Sequence, residues 1–283
     1  MDELKQAAIE LGWILSVPAL AACVLWGANE LYYRSFGRHK ARAILTTGLV
    51  GTPIHELAHA ITAMVFGMKV TEVVFFRPDP VSQTLGYVNY RYNPTNIVHR
   101  IGMVFTGLAP LLFGAYLVYI LFALAEVPNL HTFFLLTDYR SLSGGDALTA
   151  VGEWGVALFA SLNTWQAIMA ALLAVMIGAH STPSKADLKG CLRGAAAVLA
   201  VLLAYWSVMK MLPSQPELLI GKSIEVLNHV STAILQLALI SSLFALLLSA
   251  AGFALSKVIW RRGGNLPMEE EKSGNPLELS KMG

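Results

Sequence analysis

The stretch Gly51–Gly67, with the sequence GTPIHELAHAITAMVFG, decides how the rest of this 283-residue chain is interpreted. It contains the pattern HExxH, in which His55 and His59 are four residues apart. On a helix that spacing puts both imidazoles on one face, so both can bind one Zn²⁺. Glu56 lies beside this face and can act as a general base without ligating the metal. The alternative is that two core histidines and a buried glutamate fall into this register by chance.

The surroundings of the motif favour a functional site in a membrane helix. The run from Ala43 to Met68 is otherwise apolar, and about 20 apolar residues are enough to cross a bilayer. Ionisable side chains in such a segment are costly unless they bind or pair with something. We therefore expect a zinc site within the hydrocarbon zone that water reaches through a channel or cavity.

The composition is that of an integral membrane protein. Hydrophobic residues make up 55% of the chain and charged residues only 13%, with a mean hydropathy of +0.58. Soluble domains carry about 25% charged residues. The net charge is +2 and no basic cluster is interleaved with aromatic residues, so we expect no nucleic-acid partner. The two cysteines, Cys23 and Cys191, have no CxxC spacing and predict neither a disulfide framework nor a zinc knuckle.

The order of the apolar runs predicts an all-α polytopic membrane protein with about six transmembrane helices. Residues 1–42 would form an N-terminal transmembrane helix and a basic linker, and residues 43–190 a metalloprotease core with three transmembrane helices. Two more helices would occupy residues 191–260, before a polar, disordered tail at 261–283. A cleaved signal peptide is the alternative for the first run, but the acidic residues before it argue against that. The predicted spans are 11–29, 43–68, 101–125, 154–179, 194–212 and 230–256.

The segment that follows the HExxH helix has a different character. Residues 69–92 are rich in β-branched and aromatic residues around the turn-forming Arg77–Pro80, which predicts a β-hairpin. The hairpin could be a simple connector, or an exposed strand edge that pairs with an extended substrate beside the zinc. Residues 126–153, which contain Pro128 and scattered charges, predict an extramembrane loop.

HExxH supplies two ligands, and a catalytic zinc usually takes a third from the protein. His99 and Asp187 are the main candidates. Asp187 follows Pro183, where a helix would break and could bring a carboxylate back to membrane depth. It could instead cap the fifth helix, and the two roles are compatible. His99 begins the third helix, near the membrane edge, whereas His180 lies about two helical turns before Asp187 and remains a substitute ligand.

The order of these features resembles the site-2 protease family of intramembrane zinc metalloproteases, over roughly residues 45–190. The resembling features are HELAHA in a membrane helix, a hairpin, a further helix, and Pro183 before Asp187. Asp187 comes one residue earlier than in that family's usual pattern, and Leu-Lys-Gly190 follows it. The chain has no spare soluble segment for an inserted peptide-binding domain, so it resembles a compact, divergent member.

The resemblance implies roles for five residues. His55, His59 and Asp187 would hold Zn²⁺, and Glu56 would be the catalytic base. His180 occupies the position of an Asn in that family, which implies a polar stabiliser of the oxyanion or substrate. No other cofactor is implied.

We therefore predict a zinc-dependent endopeptidase that hydrolyses membrane-embedded or membrane-adjacent protein segments. Its partners would be a membrane protein or peptide substrate and the lipid bilayer. We expect a location in a bacterial cell membrane, and the distribution of basic residues favours both termini in the cytoplasm. The alternative is a metal-binding transporter or scaffold without proteolytic activity, because intramembrane His and Glu also line ion pathways.

Overall fold

The computed structural model describes residues 23–31, 33–34, 40–79, 84–134, 144–211 and 233–240. This part of the chain is mostly helical and contains one small antiparallel sheet. The elements are α1 (23–31), α2 (Lys40–Val65), β1 (Lys69–Val74), β2 (Tyr87–Arg91), α3 (Ile97–Leu124), α4 (His131–Phe134), α5 (Gly144–Ser161), α6 (Trp165–His180), α7 (Lys185–Met211) and α8 (233–240).

The hairpin predicted for residues 69–92 is confirmed. β1 and β2 pair antiparallel from Lys69 opposite Arg91 to Val74 opposite Tyr87, with a bulge around Thr71. A bulge bends a strand and strengthens its twist, which lets this short sheet curve over the helices. A small apolar cluster holds its base against the helices, formed by Ala63, Met68 and Met103 with Phe66, Val70, Tyr90 and Tyr92.

The helices that carry the candidate site pack directly on one another. α2 contacts α3 and α6, and α3 also contacts α6 and α7. Fully buried apolar side chains such as Val118, Phe122 and Ile177 fill the space between α3 and α6. Leu25 of α1 and Leu237 of α8 belong to the same cluster, so elements outside the predicted three-helix core also contribute to it.

A sharp break separates α6 from α7. α6 ends at His180, and the two helices are bent by 68°. Pro183 has no amide hydrogen to donate and disfavours helical backbone at Thr182, so the chain turns there. α7 begins with a capping box, in which the amide of Asp187 donates to Ser184 Oγ at 3.2 Å and the amide of Ser184 donates to Asp187 Oδ2 at 2.7 Å.

Two predicted boundaries differ from the structure. The predicted loop 126–153 contains α4 and the first half of α5. Asp146 lies in the first turn of α5, where a carboxylate is favourable, so its charge marks a helix start and not a loop. The predicted single span 154–179 is divided between α5 and α6, because Thr164 caps a new helix by accepting a hydrogen bond from the Ala167 amide at 3.2 Å.

Within the described ranges, α3 is the single helix that is long and apolar enough to cross a membrane by itself. The bent pair Trp165–His180 and Lys185–Val198 meets the same criterion when taken together. α2 has the length, but its sequence contains five ionisable residues, which lower its hydropathy, namely Lys40, Arg42, His55, Glu56 and His59. Most of the predicted spans 11–29 and 230–256 lies outside the described residues, so the six-span topology stays a prediction.

Candidate metal centre

Helix α2 presents His55 and His59 on one face, as their spacing predicts. Their Nε2 atoms lie 3.1 Å apart, and the two rings meet edge to face with centroids 4.7 Å apart. Both rings therefore direct a nitrogen at the same point. His59 is buried, and the side chain of His55 is 16% exposed.

Backbone carbonyls fix which nitrogen of each ring carries the hydrogen. Nδ1 of His59 lies 2.8 Å from the carbonyl oxygen of Thr106, and Nδ1 of His55 lies 2.6 Å from that of His180. A carbonyl oxygen can only accept, so both Nδ1 atoms are the donors and each neutral ring has its lone pair on Nε2. Two such lone pairs 3.1 Å apart repel each other unless a cation lies between them. This is the arrangement in which metal-binding histidines are held by outer partners.

Asp187 brings a carboxylate to the same point. Its Oδ1 lies 3.3 Å from Nε2 of His59 and its Oδ2 lies 3.9 Å from Nε2 of His55. The three ligand atoms all lie within 4.8 Å of one another. Ligands at 2.0–2.2 Å from a tetrahedral zinc are about 3.3 Å apart. The separation between the two Nε2 atoms, 3.1 Å, and that between His59 Nε2 and Asp187 Oδ1, 3.3 Å, match that value, so the donor set fits zinc.

The same carboxylate also caps α7, so the two roles considered for Asp187 coexist. One oxygen, Oδ2, accepts from the Ser184 amide, while Oδ1 is the oxygen nearer to His59. The capping box thereby holds the carboxylate with one oxygen directed at the histidines. The break after α6 is what returns this helix start to the middle of the bundle.

Glu56 lies beside this group and is only 7% exposed. Its carboxylate interacts electrostatically with His59 and Asp187. The end of the hairpin covers it, since a Cβ added at Gly86 would lie 3.0 Å from Glu56 Cγ. A buried carboxylate at this place can exchange a proton with a water or substrate at the site.

Two buried threonine hydroxyls near these residues have no hydrogen-bond partner within the described part of the chain, namely those of Thr52 and Thr106. At 100° per residue, Thr52 projects from α2 between the directions of His55 and Glu56, one turn earlier. A buried hydroxyl without a partner is rare enough to need an explanation. Sequence reasoning missed Thr52, although its spacing from the motif could have indicated it.

The side chain of His180 does not join the three ligands. Its Nε2 faces the hydroxyls of Thr47 at 2.9 Å and Tyr33 at 3.4 Å. The expectation that this imidazole is an alternative ligand or an oxyanion stabiliser therefore gains no support, because the ring is engaged between α2 and α1. The contribution of His180 comes from its backbone carbonyl, which holds His55.

His99 is also placed away from the ligands. It is half-buried in the first turn of α3, where its Nδ1 accepts a hydrogen bond from the amide of Asn93 at 2.8 Å. Its role is local, at the base of the hairpin, and it offers no ligand to the group formed by His55, His59 and Asp187.

Two glycines allow the helices to come close enough to build the centre. A Cβ at Gly51 would lie 2.7 Å from Cδ2 of His180, and one at Gly107 would lie 2.5 Å from the carbonyl oxygen of Asp187. Real Cβ atoms do not approach other atoms so closely. The absence of a side chain at Gly51 lets the end of α6 pack closely against α2. The absence of a side chain at Gly107 likewise lets the start of α7 pack closely against α3.

A family model described as "Putative zincin peptidase" matches residues 48–152. The matched region contains the HExxH motif, the hairpin and α3, and it ends before Asp187. No curated protein and no solved structure matches the chain. The match and the donor set together support a zinc metallopeptidase with Zn²⁺ as its cofactor.

Proposed function

We propose that this protein is an intramembrane zinc endopeptidase of the site-2 protease type. The observation that carries the proposal is the convergence of His55, His59 and Asp187 beside the buried Glu56. Two neutral imidazoles, a carboxylate and a separate glutamate base are the parts that a zinc peptidase needs.

Each residue of the site has a separate role in the hydrolysis of the peptide bond. His55, His59 and Asp187 would hold the zinc, which would supply Lewis-acid activation of the substrate carbonyl and of water. Glu56 accepts a proton from the water whose oxygen attacks the carbonyl carbon. It then gives that proton to the amide nitrogen as the C–N bond breaks, which releases an amine and a carboxylate. We assign to the hydroxyl of Thr52, which has no partner within the described residues and lies one turn before the motif, a hydrogen bond to the carbonyl oxygen as negative charge develops there.

The outer faces of the helices support a membrane location. Monomeric soluble proteins rarely expose large contiguous apolar patches. Here large apolar side chains are exposed on several helices, and we assign these faces to the lipid. They include Leu49, Met64, Tyr116, Leu124, Trp165 and Leu192, each at least 57% exposed. We propose a multi-pass protein of a bacterial cell membrane with cytoplasmic termini.

The hairpin is a suitable guide for an extended substrate. Within the described residues the sheet has two strands, so each strand has an edge without a strand partner. A membrane helix that unwinds at the site exposes amides that such an edge can pair with. The contact between Gly86 and Glu56 puts the start of β2 beside the base.

Polar side chains stiffen the exposed face of this hairpin. The hydroxyl of Tyr87 donates to Glu72 at 2.7 Å, and Arg77 donates to the same hydroxyl at 3.0 Å. The hydrogen bond to Glu72 raises the pKa of Tyr87 above its ordinary value. A stiff strand loses little conformational freedom when a substrate pairs with it.

The test compares the wild-type protein with Glu56→Gln in membranes. Both proteins are expressed at equal levels, and new peptide termini in membrane proteins are identified by mass spectrometry. The proposal expects termini within or beside membrane segments that are produced by the wild type alone. Purified protein in liposomes is then assayed for zinc flux. Two results together would favour a transporter and reject the peptidase. Zinc flux would be the same in the wild type and in Glu56→Gln, and no peptide termini would be specific to the wild type.

A further inference from the structure

The break after α6 removes the amides that would continue its hydrogen-bond pattern, although the carbonyl of Gly178 still accepts from a local amide, that of Ser181 at 3.3 Å. Side chains supply further donors, one from the C-cap residue Ser181 and the others from outside α6. Ser181 Oγ donates to the carbonyl of Ile177 at 2.7 Å, and Asn29 Nδ2 donates to that of Gly178 at 3.1 Å. The carbonyl of Ala179 accepts from the Tyr33 hydroxyl at 3.3 Å and more weakly from Asn29 at 3.4 Å.

The carbonyl of His180 is next in this series, and its donor is Nδ1 of His55. Asn29 and Tyr33 therefore hold the two carbonyls that immediately precede the one that orients a metal ligand. Both residues belong to the helical segment around α1, which lies outside the region matched by the zinc peptidase family.

The imidazole of His180 is fixed at the same place. Thr47 Oγ1 lies 2.9 Å from the carbonyl of Ala43 and 2.9 Å from Nε2 of His180. Its single hydrogen goes to the Ala43 carbonyl, so Nε2 of His180 is the donor to Thr47. Tyr33, whose hydroxyl lies 3.4 Å from the same Nε2, touches both the ring of His180 and the carbonyl before it.

We propose that α1 and the helical residues 33–34 that follow it are a positioning element of the metal centre, acting through Asn29 and Tyr33. These side chains fix the end of α6, so that the carbonyl of His180 faces Nδ1 of His55 and aims Nε2 at the metal. The inference rests on the proposed function in that it needs a metal at this site. Asn29 is 6% exposed and both of its hydrogen bonds go to backbone carbonyls of α6.

A purely structural role for Asn29 is the competing explanation, and a second buried asparagine provides the control. Asn129 is also 6% exposed and donates to the carbonyl of Tyr119 at 3.3 Å. It accepts from Gln236 at 2.8 Å, in a network far from the ligands along the chain. Asn129→Leu should lower the melting temperature as Asn29→Leu does, without affecting the metal.

The experiment measures metal binding by the full-length protein in detergent, for the variants Asn29→Leu, Tyr33→Phe and Asn129→Leu. Zinc affinity is obtained by competition with a chelator, and the ligand geometry by the visible absorption of the Co²⁺ form. Loss of an outer partner of a metal ligand typically weakens binding about 10- to 100-fold. We expect a loss of that size in Asn29→Leu, a smaller one in Tyr33→Phe, and a changed Co²⁺ spectrum in both. Asn129→Leu should match the wild type in both measurements.

Wild-type affinity and spectrum in both α1 variants would overturn the inference, as would an equal change in Asn129→Leu. If Asn29→Leu does not fold, Tyr33→Phe decides, because it removes a single oxygen. A wild-type protein that binds no zinc would reject the proposed function itself. Failure of the proposed function is thereby distinguished from failure of the inferred positioning role.

Discussion

The carbonyl oxygen of His180 accepts a hydrogen bond from Nδ1 of His55 at 2.6 Å, while the imidazole of His180 points away from the ligands to Thr47. The last residue of α6 thereby orients a ligand on α2. A few residues later the same break returns Asp187 to that ligand's ring. One interruption of a helix thus provides both an orienting group and a ligand.

Glu56→Gln should abolish most hydrolysis and leave the metal in place. Gln has nearly the same shape but cannot accept the proton, and a general base contributes about 10²- to 10⁴-fold to rate. The measurement is cleavage of an identified substrate together with zinc content. Glu153→Gln, at an exposed position on α5, is the matched control and should cleave normally. Cleavage by Glu56→Gln at the wild-type rate would exclude the proposed mechanism.

The two roles of Asp187 can be separated by three substitutions. Asp187→Asn keeps an oxygen for the Ser184 amide but removes the charge that binds zinc, so it should lose zinc and keep the helix cap. Asp187→Ala should lose both, with a further destabilisation of about 0.5–2 kcal/mol. Ser184→Ala should keep zinc and lose a similar amount of stability. Zinc content and thermal unfolding of the metal-free proteins measure these effects.

Retention of zinc by Asp187→Asn and Asp187→Ala would show that Asp187 is a helix cap and not a ligand. His180→Ala then provides the comparison. Because the structure uses only the backbone of His180 near the ligands, we expect this variant to bind zinc more weakly but not to lose the site.

Gly51→Ala should separate α6 from α2. The added methyl group would lie 2.7 Å from Cδ2 and 2.8 Å from Cβ of His180, and overpacking of this kind costs about 1–3 kcal/mol. Zinc affinity should fall with stability, since the His180 carbonyl moves away from His55. Gly152→Ala in α5 is the control, because nothing lies within 4 Å of its added Cβ. That variant should gain about 0.5–1 kcal/mol from better helix propensity, measured by thermal unfolding.

Thr52→Val tests the buried hydroxyl on the motif's face of α2. Removing an unpaired buried hydroxyl should leave the melting temperature unchanged or raise it. Turnover should nevertheless fall on the order of 10²-fold if this hydroxyl stabilises the developing oxyanion. Thr52→Ser keeps the hydroxyl and should stay close to the wild type. Equal turnover of the Val and Ser variants would remove Thr52 from the mechanism.

The sequence predicted those parts of the site that depend on local spacing. The positions of His55 and His59 follow from helical periodicity, and the hairpin follows from β-branched residues around a turn. Pro183 indicated the break that returns Asp187. The partners of the histidines could not be predicted in this way, because they are backbone carbonyls and any residue type supplies one. Asn29 gave no signal either, since its importance depends on how α1 packs against the end of α6.

Boundaries were predicted less well where one residue type favours two structures. Pro128 and the scattered charges of residues 126–153 indicated a loop, but a carboxylate also suits the first turn of a helix, and that is where Asp146 lies. Thr164 lies within an apolar run that was long enough for one span, yet its hydroxyl caps a new helix. Hydropathy averages over such a residue and therefore misses the break.

The most direct test of the account is the zinc content of the purified protein, measured by elemental mass spectrometry in four forms: wild type, His59→Ala, Asp187→Asn and Glu56→Gln. The account predicts one zinc per chain in the wild type and in Glu56→Gln, and little zinc in the two ligand variants. A wild-type chain without zinc, or ligand variants that retain it, would contradict the assignment of His55, His59 and Asp187 as the metal centre.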